Sequence, residues 1–206
     1  MERQIHFHVE EPSMEAFLDG IVPRMMNGVE FKIINHESKP QLLKNIPLRF
    51  RGYLMMPPEV RPKSVVLIDR DSDNCLELKG KLEKICQDLG IFTKTHPTPE
   101  GLFDVANKIV IEELEAWFFG SIPALSLAYP GIPNSLGYQQ QYRNPDGIKG
   151  GTHEALLRVF QRAGYFKGSG YFPKVDTARR IGRIMDIDSN LSPSFNSFRA
   201  GLGALL

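Results

Sequence analysis

Val65-Val66-Leu67-Ile68-Asp69-Arg70-Asp71-Ser72-Asp73 decides how this chain is read. Four apolar residues run directly into three acids spaced two apart. Bounded by Pro62-Lys63-Ser64 and by the acids, the run predicts a short strand buried on both faces, with an acidic turn at its carboxyl end. In extended backbone, residues i and i+2 point the same way, so Asp69 and Asp71 can present their carboxylates to one point. Hard divalent ions such as magnesium take oxygens of this kind, commonly one or two carboxylates plus substrate phosphate. The plainer alternative is a solvated acidic loop or a helix N-cap, a position that Asp favours.

Upstream, Gln4 to Val9 alternates as a strand, and Glu10-Glu11-Pro12-Ser13 leads into a helix with Met14, Phe17, Leu18, Ile21 and Met25 at helical spacing. Val29 to Ile34 predicts a second strand, and Gln41 to about Met55 a helix stopped by Pro57-Pro58. Downstream, Leu76 to Leu89 is an amphipathic helix closed by Gly90. Ile91 to Thr95 reads as a fourth strand and Lys108 to Ile111 as a fifth. Strand and helix alternate, which predicts an α/β fold with a mostly parallel sheet and helices on both faces. Ligands in such sheets sit beyond the carboxyl ends of the strands, where Glu10, Asp69 and Asp71 fall.

From Ser121 to about Gly151, prolines and glycines predict short helices and an irregular loop. Thr152 to Ala163 reads as a helix, Asp176 as the cap of another running to Met185, and Ser192-Pro193 as the start of the last. Residues 1–120 form the expected α/β core, and 121–206 a helical extension of the same domain.

The chain has 206 residues, 42% hydrophobic and 24% charged, with a net charge of +1. That is ordinary globular composition, and nucleic-acid binding would have to use local basic patches. Cys75 and Cys86 suggest no disulfide framework and fit a reducing cytoplasm. Neither a signal peptide nor a run of about 20 apolar residues is visible, so a cytoplasmic, non-membrane protein is expected.

A second acidic cluster, Glu112, Glu113 and Glu115, precedes Trp117-Phe118. If the aromatic pair and Leu114 pack inward, some of these acids lie close to the core. A capping cluster at a helix N-terminus is the plainer alternative.

Val9-Glu10-Glu11-Pro12-Ser13 with Phe17-Leu18 resembles the first motif of TOPRIM domains, the fold of topoisomerases, primases and OLD-family nucleases. The Gly usual after the Glu is Glu11 here. Asp69-Arg70-Asp71 resembles the TOPRIM Asp-x-Asp. Over nearly its full length the chain is similar to a bacterial TOPRIM-like (Rossmann-like) family catalogued as domain of unknown function 4276, through Glu113 to Trp117 and the Ser-Phe-rich Ser194 to Phe198. The resemblance implies a magnesium-dependent (or manganese-dependent) nuclease in a bacterial anti-phage or mobile-element system. Asp69, Asp71 and Asp73 would hold metal, with Glu10 as general base or a further ligand and Glu113 or Glu115 completing a second site. Lys174 and Lys149, in Gly/Pro-rich loops, are candidates to offset phosphate charge, against ordinary surface lysines. Arg158, Arg162, Arg179, Arg180 and Arg183 are a candidate phosphate-binding face or the wet side of helices. Implied partners are nucleic acid, DNA ahead of RNA, and an ATPase; homo-oligomerisation is left open.

Two alternatives stand beside this reading. One is a non-catalytic subunit or scaffold of an ATPase complex. The other is a haloacid-dehalogenase-type phosphatase with Asp69 as nucleophile and Asp71 as acid/base, which leaves Glu10, Glu113 and Glu115 unexplained. An EF-hand fails because Asn74 stands where Gly is needed and Gly80 where Glu is. His6 and His8 read as buried or edge residues of the first strand. Gly150-Gly151-Thr152 is too weak for a nucleotide-binding loop.

Overall fold

The computed structural model describes residues 3–206. The first two positions of the expected core unit, and of the segment read as lacking a signal peptide, lie outside these residues. Four strands, β1 (Ile5–Val9), β2 (Phe31–Asn35), β3 (Lys63–Asp69) and β4 (Val105–Val110), form one sheet in the order β2-β1-β3-β4. Every pairing is parallel. The crossovers are α1 (Pro12–Met25), α2 (Lys39–Leu54) and α3 (Cys75–Asp88). Parallel neighbours need such connections, because a tight turn cannot reverse the chain between them.

β3 is buried from Ser64 to Asp69, and its alternate residues serve two cores. Val65 and Leu67 join a cluster with Phe17, Leu18 and Ile21 of α1. Val66 and Ile68 join Leu42, Ile46 and Phe50 of α2 with Leu78 and Leu82 of α3. A central strand packed on both faces has no room for polar alternation, which is why its sequence is a continuous apolar run. Each of these side chains contributes about 1.5–3 kcal/mol by leaving water.

The expected fourth strand over Ile91–Thr95 does not form. Thr93 makes one isolated bridge to Val105, and the chain turns back through a bond from the His96 amide to the Thr93 carbonyl. The cause is Glu83, buried on α3. It accepts from the Thr93 and Thr95 hydroxyls and from the Asn107 amide, and His96 lies 3.2 Å away. Lys79 pairs with it at 2.7 Å, and these donors hold the Glu83 carboxyl at about 2. Satisfying a buried carboxylate outweighs local β propensity.

Residues beyond β4 build five more helices, α4 (Glu115–Phe119), α5 (Ile122–Ala128), α6 (Thr152–Arg162), α7 (Lys174–Ile184) and α8 (Pro193–Gly203), with short 3₁₀ turns between α5 and α6. Ser192 caps α8 by accepting from the Phe195 amide. Asp176 does not cap α7. The helix opens at Lys174 after Pro173, which leaves Asp176 in the first turn, paired with Arg179.

α7 lies directly on α1. A Cβ on Gly20 would meet the Arg183 amide nitrogen at 2.8 Å, and one on Gly182 would meet the Phe17 carbonyl oxygen at 2.5 Å. Two glycines facing each other let the backbones touch, and this contact fixes where the start of α7 points. Trp117 ties α4 to α8: its Nε1 donates to Ser194 Oγ at 2.9 Å, and its ring packs on Phe195 and Phe198. Among the described residues no helix is long and apolar enough to cross a membrane.

Candidate active site

In the order β2-β1-β3-β4 the chain leaves β1 in one direction and later passes β3 in the other. The crevice beyond the carboxyl ends of these two strands is the topological switch point, where open parallel sheets place their ligands. Glu10 and Glu11 follow β1, and Asp69 is the last residue of β3. Asp69 is 4% exposed, and its Oδ1 has no hydrogen-bond donor. Glu10 Oε2 is likewise buried and unpartnered. Burial pushes the Asp69 carboxyl well above the usual range, and Glu10, Glu11, Glu115 and Asp71 push in the same direction. Glu10 is raised to about 7, first by burial and then by Asp71 and Glu11, against the opposing pull of Lys39. Desolvation plus like charge is the usual signature of carboxylates brought together for a purpose.

The turn after β3 is held in an unusual backbone. Asp71 has φ 49° and Glu112 has φ 61°, and the Asp71 amide donates to the Glu112 carbonyl at 2.9 Å. Asp visits this left-handed region with modest penalty, whereas Glu does so rarely. Arg70 pairs with the Glu112 carboxylate, and the two left-handed residues lock the ends of β3 and β4 together. Lys39, the first residue of α2, reaches Asp71 Oδ2 at 2.7 Å and Asp73 Oδ2 at 2.8 Å. Asp73 is exposed and pairs with Lys39, which holds its carboxyl below the usual range.

On the other flank the chain leaves β4 through Glu112 and Glu113 into α4. Leu114, Trp117 and Phe118 are buried, so Glu115 is drawn inside with them, 2% exposed, with its Oε2 unpartnered. Its Oε1 lies 3.3 Å from His153 Nδ1 and 3.6 Å from Lys174 Nζ. Glu113 accepts from the His153 amide at 3.2 Å and stands 3.8 Å from the same ammonium. Lys174 is raised despite its burial by Glu115, Glu11, Glu113 and Asp69 together. His153 is raised mainly by its bond to Glu115.

The structure therefore brings Glu10, Asp69, Asp71 and Glu115 into one electrostatic neighbourhood, with Glu113 and Lys174 at its edge. Among the described residues no group of three or more His, Cys, Asp or Glu side chains has the geometry of a ready-made metal cage. Lys149 is exposed and lines a different depression, about 680 Å³, with Gln139 to Tyr142 and Arg158. Arg179, Arg180 and Arg183 line another on the outer side of α7. Lys39 and His153 escaped the sequence reading. Lys39 had a signal, a lysine shortly after the carboxyl end of β2. His153 follows Gly150 and Gly151, whose φ values of 80° and 84° turn the start of α6 towards Glu113. His8 is buried, bonded to His36 at 3.2 Å in the opposite core, and takes no part in the site.

A parallel α/β domain with a buried carboxylate cluster at its switch point is the class this geometry defines. The chain belongs to the family described as Domain of unknown function (DUF4276), whose model matches residues 9–203. No curated protein and no solved structure matches it significantly.

Proposed function

We propose that this protein is a TOPRIM-like, magnesium-dependent phosphodiester hydrolase acting on nucleic acid. The observation that carries the reading is the pair Glu10 and Asp69. Both are buried at the switch point, and each has a carboxylate oxygen without a donor. Orphaned buried anionic oxygens are costly unless a cation joins them. Magnesium keeps several waters and uses one or two carboxylates plus substrate phosphate, so it does not require a closed protein cage. The donor set fits it: oxygen throughout, with nearby lysines and one histidine.

Asp69 and Asp71 would hold the ion, with Glu115 and Glu113 available for a second. Bound magnesium would stabilise charge on the phosphate oxygens and supply an acidified water. Glu10 takes the proton of the attacking water. The Lys174 ammonium, kept charged by four acids, stabilises negative charge on the phosphate. Asp73, on the solvent side, tethers Lys39. A role in an anti-phage or mobile-element system, beside an ATPase and in the cytoplasm, belongs to the same proposal and rests on the family likeness.

The test is cleavage of labelled DNA and RNA with magnesium or manganese by wild type, Asp69→Ala and Glu10→Ala. Loss in both folded variants supports the reading. If Asp69→Ala is dead and Glu10→Ala active, a phosphatase centred on Asp69 and Asp71 replaces it, to be checked on small phosphoesters. Absence of cleavage, alone and with an ATPase partner, leaves a non-catalytic scaffold.

A further inference from the structure

A second feature lies along the outer edge of the sheet, where β4 has no neighbouring strand. A groove of about 500 Å³ runs there, lined at one end by Cys75, Leu76 and Ile111 and further along by Lys79, Lys94 and Lys108. Cys75 and Leu76 directly follow the acidic turn of residues 69–74, and Ile111 directly precedes Glu112. By chain connectivity one end of the groove therefore lies beside the turn that carries Asp71 and Glu112.

Its three ammonium groups are anchored. Lys79 donates to the Asn107 carbonyl, an acceptor on the open edge, and pairs with Glu83 at 2.7 Å. Lys94 donates to the Ala200 carbonyl at 2.7 Å, and Lys108 to Ser197 Oγ at 3.0 Å. Lys108 is threaded against α8 so closely that a Cβ on Gly201 would strike its side chain. Among the described residues neither Lys94 nor Lys108 pairs with a carboxylate. Asp146, the acid lining this groove, is already satisfied by the Ser192 hydroxyl at 2.6 Å and the Ser194 amide at 2.7 Å. Burial, then Lys94 and Lys79, lower Lys108 to about 8. Glu83, which already pairs with Lys79, offsets this lowering only in part, so the half-buried Lys108 ammonium sits in a net positive surrounding that suits an anion.

We infer that this groove carries the phosphodiester backbone of a single nucleic-acid strand, with Lys94 and Lys108 as phosphate contacts, and delivers it to the acidic centre. The inference rests on the hydrolase reading for the direction of the strand, though not for binding itself. Ser197, whose hydroxyl accepts from Lys108, lies along the same wall. Leu76, largely exposed at the mouth, offers an apolar surface to a base. Lysines on an edge strand also discourage sheet-to-sheet aggregation, and that simpler role predicts a different result.

The experiment is fluorescence anisotropy of a labelled single-stranded oligodeoxynucleotide with the full chain, calcium replacing magnesium, across a salt series. Four proteins are compared: wild type, Lys94→Gln, Lys94→Gln/Lys108→Gln, and Lys81→Gln/Lys84→Gln on the outer side of α3. Circular dichroism checks folding, and the single variant Lys94→Gln serves if the double variant is unfolded. The inference predicts about tenfold weaker binding for the groove double variant. The salt dependence of its log affinity should flatten by about 0.7 for each phosphate that a lysine no longer neutralises. The Lys81/Lys84 variant should bind as wild type does.

Equal affinity and slope in the groove variants overturn the inference, as does failure of wild type to bind. Aggregation of the groove variants with unchanged binding also overturns it and leaves the edge-guarding role. Parallel cleavage in magnesium separates the two proposals. Binding through the groove without cleavage sinks the hydrolase alone. Cleavage with wild-type binding by the groove variants sinks the groove alone.

Discussion

Nζ of Lys39 lies 2.7 Å from Oδ2 of Asp71, joining the start of α2 to the turn after β3. The same ammonium holds Asp73 at 2.8 Å. A cation is thus already seated beside the carboxylates proposed to take magnesium, and it competes with the ion. Lys39→Met should tighten manganese binding severalfold by titration calorimetry. The fold should lose less than about 1 kcal/mol, because both acidic partners are half exposed. Unchanged or weaker manganese affinity would show that Lys39 does not compete.

Lys174 and Glu115 form the other flank, and here burial changes the magnitude. Removing the ammonium in Lys174→Met leaves Glu115 inside, with His153 as its remaining hydrogen-bond partner. A loss of about 3 kcal/mol is expected in urea denaturation. Lys174→Met/Glu115→Gln should recover much of it, since no uncompensated charge is then buried. Additive losses in the two single variants would contradict the coupling.

Asp69→Asn should separate stability from activity. The folded carboxyl titrates above its ordinary value, so the native state binds the proton more tightly than the unfolded chain does. Stability from this group is full below the unfolded value near 3.8 and is lost as pH rises towards the folded one. At pH 7 without metal, the neutral amide removes that penalty, and the melting temperature should rise by a few degrees. Cleavage should vanish. A lower melting temperature would contradict the repulsion argument.

The His8–His36 pair has the opposite sign. His8 is driven well below its ordinary value by burial, then by His36, His6 and Arg49, and His36 falls to about 4 through burial and Arg49. Both are neutral in the native state, so the unfolded chain binds protons first, below about pH 6.5. Their contribution is present above that value and is lost as pH falls towards 4. The melting temperature of His8→Phe/His36→Asn, followed from about pH 7.5 to 5, should fall less than that of wild type. Parallel profiles would remove the pair as the cause.

Gly182→Ala tests how α7 is placed. The new methyl would meet the Phe17 carbonyl, and backbone cannot give way as a flexible side chain can. A cost of about 1–3 kcal/mol is expected. Because α7 carries Lys174 to the acids, cleavage should fall as well, with a larger effect on kcat than on KM. A variant as stable and active as wild type would show that α7 tolerates displacement.

How much could be read from the chain depended on the range of the interaction. Val65 to Ile68 announces a buried strand because both its faces meet apolar helices, and Asp69 with Asp71 marks its carboxyl end. The α/β alternation is local in the same sense. Ile91 to Thr95 misled because its apolar and β-branched residues suit a strand, while a single carboxylate from α3, Glu83, pulls the segment into a turn. Asp176 misled because a cap and a first-turn acid look alike in sequence.

The sequence by itself determined the parallel α/β plan, the acids at the strand ends and the inward pull of Leu114, Trp117 and Phe118, since side-chain periodicity and burial are written in neighbouring residues. Only the tertiary structure decided the strand order that makes the ends of β1 and β3 a crevice, and the approach of both Glu10 and Glu115 to Asp69 there. It also decided that Lys39, His153 and Lys174 would face those acids. Those relationships depend on how helices far apart in the chain cross, as α1 and α7 do at Gly20 and Gly182, and charge at such distances in sequence meets only after the core has packed.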